Sequence, residues 1–239
     1  MVSDMSRIAT RLKHDGVFRA AKDIAMRGVN RLMFLKILHC MKLDTVNPEY
    51  LAAPENYRGI FLDDAHLRGF TQIPEYEFPQ GFVDQAFAKG DQCYGFTTND
   101  GVLAAYQWYS TTPTWYFTPT KRTAWNGFVV SFADQYVYMY KGFTHPAHRG
   151  KRLYPVGVTT ALASYLARGY KGILSIVESN NFASLKACYR MGYRDFGKIY
   201  VTVLFDRCMI HADPGCEAYG FRLTTRKYAS GASIFRLAG

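Results

Sequence analysis

Residues 144–157 read THPAHRGKRLYPVG. Three cations, Arg149, Lys151 and Arg152, crowd around Gly150, between the aromatic run QYVYMYKGF (135–143) and an apolar segment of helical character. Pro155 stands in the first turn of that helix, where its missing N–H costs nothing, and Gly169 stands just past its end. The spacing predicts a helix over about 155–168. A strand, a turn rich in glycine and cations, and a helix N-terminus together make an anion site, because free main-chain N–H groups converge there and the helix dipole favours negative charge. A diphosphate fits such a turn. The three cations would add charge-assisted contacts of about 1.5–3 kcal/mol each if partly buried, and much less if exposed.

On the C-terminal side, GILSIVES (172–179) is a short apolar strand of the buried kind, ASLKACYRMGY (183–193) is a helix ending at Gly192, and DFGKIYVTVLF (195–205) is a further strand. On the N-terminal side, QCYGFTT, NDG and VLAAYQWYS (92–110) are a strand, a tight turn and a strand, with Gly101 placed for the positive φ that such turns require. In the aromatic run Tyr136, Tyr138 and Tyr140 share one face and Val137 and Met139 the other. Thr111–Ala133 is less regular. YRGIFLDD (57–64) is a strand followed by an Asp63 or Asp64 cap, a helix runs from about Gln80 to Lys89 and stops at Gly90, and LKILHCMKLD (35–44) is a candidate first strand. Strands dominate the first half of the body and then alternate with helices. The fold class expected is α/β or α+β, a mixed sheet flanked by helices on both faces.

With 239 residues, 49% of them hydrophobic, the chain can form one ample core with an appended arm. Two units are expected: a basic helical arm over 1–45 and a body over 46–239, joined by a Pro-punctuated connector. Of the net charge of +10, residues 1–42 contribute nine Lys or Arg against three Asp, hence +6. Within the arm Val17, Ala21, Ile24, Gly28 and Leu32 form one apolar stripe facing away from Arg19, Lys22 and Arg27. This amphipathic helix either packs on the body or presents a patch to anionic lipid or an acidic carrier protein. Nucleic acid is not expected as a partner, since no Gly-aromatic or helix-turn-helix pattern accompanies the charge. Five scattered cysteines point to a reducing compartment, and Cys208, His211 and Cys216 are too few soft ligands for a structural zinc, so no metal is expected. With neither a secretory signal nor a membrane span visible, the expected location is the cytoplasm, with the arm allowing a peripheral place at the inner membrane face.

From about Tyr136 to Phe205, and less closely back to Tyr57, the chain resembles the GCN5-related N-acetyltransferase superfamily. The motifs that carry the resemblance are GFTHPAHRGKRL (142–153) before a helix and VESNNFASLKACYRMGY (177–193), in which Asn181, Ser184 and the Gly192–Tyr193 pair stand at the family's spacing. The resemblance implies a V-shaped splay between two parallel strands, 136–143 and 173–177, holding acetyl-coenzyme A or another acyl-coenzyme A. It implies that Arg149, Gly150, Lys151, Arg152, Leu153 and Tyr154 wrap the pyrophosphate. Gly142, Phe143 and Thr144 would then offer main-chain groups to the pantetheine and acyl carbonyl, and Asn181 and Ser184 would hold the far wall. The chain departs from the family twice. Arg152 and Tyr154 stand where small residues are usual, and Cys188 stands where many relatives place a tyrosine acid, with Tyr189 one residue later and about 100° round the helix.

The chemistry implied is transfer of an acyl group from a thioester to a primary amine of a small molecule. Such a transfer needs a neutral amine, a polarised carbonyl and help for the departing thiolate. Glu178 is the candidate base, with His145, His148 and Asp134 behind it, the N–H of Phe143 or Thr144 faces the carbonyl, and Tyr189 or Cys188 is the candidate acid. Two alternatives stand beside this one. The donor can be an acyl carrier protein bearing a long chain for an amino acid, or the chain can be a non-catalytic relative that binds coenzyme A or a membrane surface.

Overall fold

The computed structural model describes residues 34–116, 125–204 and 207–227. The arm helix expected near residues 17–28 lies outside the described residues. In chain order the strands and helices are β1 (Phe34–Leu43), β2 (Tyr57–Leu62), α1 (Asp64–Arg68), α2 (Gln80–Ala88), β3 (Gln92–Thr98), β4 (Leu103–Ser110), β5 (Thr114–Tyr116) and β6 (Trp125–Ser131). There follow β7 (Val137–Thr144), α3 (Leu153–Ala167), β8 (Ile173–Glu178), α4 (Phe182–Met191), β9 (Arg194–Leu204), β10 (Arg207–Ala212) and β11 (Arg222–Lys227).

Local chemistry places most of these boundaries. The Asp63 carboxylate accepts from the His66 N–H and starts α1, and the turn between β3 and β4 closes with Gly101 at φ 83°. Gly90, Gly169 and Gly192 take positive φ behind α2, α3 and α4. The helix α3 begins two residues before the expected start, because Arg152 itself adopts left-handed backbone (φ 61°) and Leu153 is buried.

The described strands form an eight-stranded sheet in the order β10-β9-β1-β8-β7-β4-β3-β2 and a three-stranded sheet, β11-β6-β5. Among the described strands every neighbouring pair is antiparallel except β7 and β8. Helices α3 and α4 cover one face of the large sheet through a core that includes Met139, Leu162, Tyr165, Ile173 and Cys188. On the other face α1 and α2 cover β2 to β4 around Trp108 and Tyr106. The small sheet covers the rest of that face, packing Phe128, Val130 and Phe221 against Leu38, Tyr138 and Leu174. The expected mixed sheet with helices on both faces is observed, and the segment Thr111–Ala133 contributes two strands of a second sheet that local patterning did not reveal.

Within the large sheet, β1 and a bulge in β7 set where the neighbouring strands can go. The expected arm–body join near residue 45 groups β1 with the arm; here it is an interior strand between β9 and β8, with Leu38, Cys40 and Met41 fully buried. At the bulge, Trp108 of β4 pairs with Lys141 and Tyr109 pairs with Met139, leaving Tyr140 without a partner in that ladder. An extra residue reverses the alternation of side chains beyond it. Tyr140, Lys141 and Phe143 therefore contact the α2 side, while Met139 and Gly142 face α3. The bulge is anchored by the Tyr140 hydroxyl, which donates to the buried Asp91 carboxylate at 2.8 Å, and Lys89 pairs with the same carboxylate at 3.0 Å.

Tyr140→Phe removes the donor to a buried carboxylate and should lower the unfolding free energy by about 1.5–3 kcal/mol, read by urea denaturation. Burial also raises the hydroxyl pKa of Tyr106, Tyr138, Tyr165 and Tyr193 and the thiol pKa of Cys93 and Cys188. Each such group binds its proton more tightly folded than unfolded, so its contribution is complete below the unfolded pKa and is lost as pH rises toward the folded value. Stability measured in urea should be level from about pH 5 to pH 8 and fall steadily from there to pH 11.

Candidate active site

The parallel strands β7 and β8 pair through only three positions, Val137 with Ile173, Tyr138 with Leu174 and Met139 with Ser175. Beyond them β7 follows β4, ending with Thr144 opposite Ala105, and β8 follows β1, ending with Glu178 opposite Leu38. Each strand is held by its outer neighbour, so a gap opens between their C-terminal ends. The main-chain groups that face it have no strand partner among the described residues.

At the apex of the gap the Ser175 hydroxyl lies 3.2 Å from that of Tyr193. Cys188, fully buried on α4, belongs to the same cluster, and burial followed by the charge of Asp195 pushes its thiol up to about 12. Tyr189 points elsewhere. It is 48% exposed and donates to the Asp195 carboxylate, which His39 also approaches at 3.3 Å. Burial and then Asp195 push the Tyr189 hydroxyl up to about 12.

The strand β7 leads into a short turn, Pro146–His148, and then into the basic loop. Gly150 (φ 77°) and Arg152 (φ 61°) both take left-handed backbone, and among the described residues no side chain caps the N-terminus of α3. The left-handed Arg152 leads directly into the first turn of α3, whose free N–H groups suit an anion. Arg149 and Lys151 are exposed, and Arg149 Nε donates to the Thr144 carbonyl at 3.4 Å. Arg152 turns away. Its guanidinium donates to the Glu49 carbonyl at 3.3 Å and lies 5.0 Å from the centre of the Tyr50 ring, so this loop keeps the Arg152 main chain while its charge is used as a tie to the Pro48–Tyr50 turn.

Leu153 is buried in the core beneath the loop. The Tyr154 ring rests on Gly142, where an added Cβ would come within 2.9 Å of the ring, and the Tyr154 hydroxyl donates to Met139 Sδ at 3.9 Å. Beside Gly142, Gln107 of β4 is fully buried, and among the described residues neither of its amide atoms has a hydrogen-bond partner. Phe143 points to the opposite face, between Tyr76 and Tyr106. On the far wall the Asn181 side chain accepts from the Ser184 N–H at 3.2 Å and caps α4.

Carboxylates flank the gap on the face away from α3. Glu178, at the end of β8, pairs with Lys36 of β1. Glu77 lies 3.5 Å from Lys141, whose ammonium pKa is lowered by burial against the opposing pull of Glu77. Sequence reasoning missed Glu77, and no local signal marks it; the bulge that turns Lys141 toward it is visible only in the pairing register. Of the second-line bases, His148 Nδ1 meets the Tyr57 hydroxyl at 3.0 Å and His145 caps the turn before the basic loop. Asp134 sits at the paired end of β7, beside Gln135 and Tyr170 and away from the gap. Among the described residues no group of His, Cys, Asp and Glu is placed to hold a metal ion, and no helix is long and apolar enough to cross a membrane.

No family model and no curated protein matches the sequence. Solved structures with a similar fold include a GCN5-related N-acetyltransferase-like protein from Streptococcus suis, at 13% identity and TM-score 0.48, over 77% of this chain and 67% of that one. A GNAT-family protein from Novosphingobium aromaticivorans is 16% identical, with TM-score 0.44, over 71% of this chain and 64% of that one. An acetyltransferase of the GNAT family from Colwellia psychrerythraea is 15% identical, with TM-score 0.46, over 72% of this chain and 56% of that one. This chain thus spans less than two thirds of the Novosphingobium and Colwellia proteins. These are likenesses of fold, and no residue takes its role from them. The mixed sheet, its one described parallel pair and the gap that opens from that pair are the architecture that the sequence resemblance led us to expect.

Proposed function

We propose that this chain is an N-acyltransferase that moves an acetyl or longer acyl group from a thioester, acyl-coenzyme A, to a primary amine of a small molecule. The observation that carries the proposal is the parting of β7 and β8 after Met139 and Ser175, beside a loop whose two left-handed residues feed an uncapped helix. A thioester with a diphosphate head supplies an activated acyl group and an anion, and the loop and gap offer a place for each. The N–H groups from Gly150 to Tyr154 hold the diphosphate, with Arg149 and Lys151 adding charge at the surface. Main-chain groups of Gly142 to Thr144 take the arm, and an N–H of Phe143 or Thr144 polarises the carbonyl.

The acceptor amine approaches from the face bearing Glu178 and Glu77. An alkyl ammonium must lose a proton before its nitrogen can attack. Glu178, paired with Lys36, takes that proton directly or through water as the C–N bond forms and the C–S bond breaks. The departing sulfur needs a hydrogen-bond donor. Cys188 lies at the apex with its thiol still protonated at neutral pH, whereas the Tyr189 hydroxyl is engaged with Asp195 at the surface. A carrier-protein donor is the second possibility, and the +6 charge of residues 1–42 favours it, because acyl carriers have acidic surfaces.

Thermal denaturation with coenzyme A, acetyl-coenzyme A and longer acyl-coenzyme A should show stabilisation approaching about 2.7 kcal/mol at 100 times the dissociation constant. A chain-length preference in the shift identifies the acyl group. The absence of any shift at millimolar concentration, with carrier-bound acyl groups equally inert, would falsify the assignment. Arg149→Ala and Lys151→Ala should each weaken coenzyme A binding by about threefold in calorimetry, and less at high salt. Glu178→Gln should lower turnover of an amine acceptor by about 100-fold and leave coenzyme A affinity within twofold, roughly the scale of a lost general base. Normal turnover across the pH range would remove Glu178 from the chemistry.

A further inference from the structure

From its place in the gap we infer that the Tyr154 side chain is a gate: one rotamer closes the inner end between β7 and β8, and a second admits the thioester arm. The inference rests on the acyl-thioester function proposed for this site.

Three observations carry it. The ring lies along β7 from Gly142, where an added Cβ would come within 2.9 Å of the ring, to Met139, the last residue of β7 that pairs with β8. A ligand chain lying against the same main chain cannot share that space with an aromatic ring. The ring packs against the core, and its polar hold is weak, because among the described residues the Tyr154 hydroxyl donates to the Met139 thioether, a poor acceptor, at 3.9 Å. The hinge is free. Tyr154 is the second residue of α3, with no preceding helical turn to block the χ1 rotamers that a helix interior forbids, so the ring can leave without any change of backbone.

Beside Gly142 the Gln107 side chain runs toward Gly157 of α3, and among the described residues its buried amide has no hydrogen-bond partner. Tyr154 would then set donor affinity through the fraction of time the gap stands open, while the diphosphate loop is unaffected.

Calorimetry with coenzyme A separates these contributions. If the ring is closed about nine-tenths of the time, Tyr154→Ala should tighten coenzyme A binding by about tenfold. Adenosine 3′-phosphate 5′-diphosphate, which carries the diphosphate without the arm, should bind wild type and variant alike. Met139→Leu keeps the core volume and removes the acceptor, so it should tighten coenzyme A binding by about two- to threefold even if the alanine variant folds poorly, since a weakened closed state raises the open fraction. Coenzyme A binding that is equal or weaker in Tyr154→Ala, or unchanged in Met139→Leu where the alanine variant does not fold, overturns the gate and leaves the thioester site standing. Equal gains for coenzyme A and for the diphosphate fragment overturn it as well. Failure of wild type and variants alike to bind coenzyme A at millimolar concentration overturns both the gate and the site.

Discussion

A strand inside a sheet has two edges, and its main-chain groups are satisfied only where both neighbours stay in register. In β7 that condition lapses after Met139. The strand keeps its ladder with β4 to Thr144 but loses β8, which is drawn along β1 instead. The bulge at Tyr140 makes the separation possible, since it bends and twists β7 where the two strands part. Its anchor is a hydroxyl, a buried carboxylate and a lysine, a polar set placed inside an aromatic cluster. Other features of the site depend on this parting. The gap, the reversed faces of Lys141 and Gly142, and the free main-chain edge all follow from it.

The same reversal sorts the chemistry by face. Toward α3 the gap is bordered by Gly142 and the Tyr154 ring, with Ser175, Tyr193 and the Cys188 thiol buried beneath them. Away from α3 it presents charge, with Glu178 and Lys36 on one wall and Glu77 and Lys141 on the other. A neutral arm and a cationic amine thus meet different surfaces of one opening.

Much of the framework was legible in local sequence. The NDG turn, the Asp63 cap, the glycines behind three helices and the basic loop before α3 act over a few residues, so their effects can be read where they stand. What depends on distant partners could not be read in that way. The small sheet joins β6 to β11 across about ninety residues of chain, and neither strand carries a pattern that distinguishes it from irregular structure. The bulge is a mismatch between β4 and β7, invisible in β7 alone. Arg152 illustrates the limit within the site itself: its residue type fits an anion loop, yet its guanidinium goes to the Glu49 carbonyl and the Tyr50 ring, which no spacing rule connects to it. Glu178 is noticeable for its place at a strand end, whereas its lysine lies on a strand far back in the chain.

The interior place of β1 has a consequence for the order of assembly. Leu38 finds its cross-strand partner at Glu178 and Phe34 at Val203, so the first described strand is completed by nearly the last of the large sheet. A nascent chain emerging from the ribosome holds this apolar segment unpaired until most of synthesis is over, while the β3–β4 hairpin and its helices can already dock. Such long-range closure is slow and leaves sticky edges open meanwhile. The gap between β7 and β8 is therefore among the last features to acquire its final width, because the strand that pulls β8 aside arrives first and is seated late.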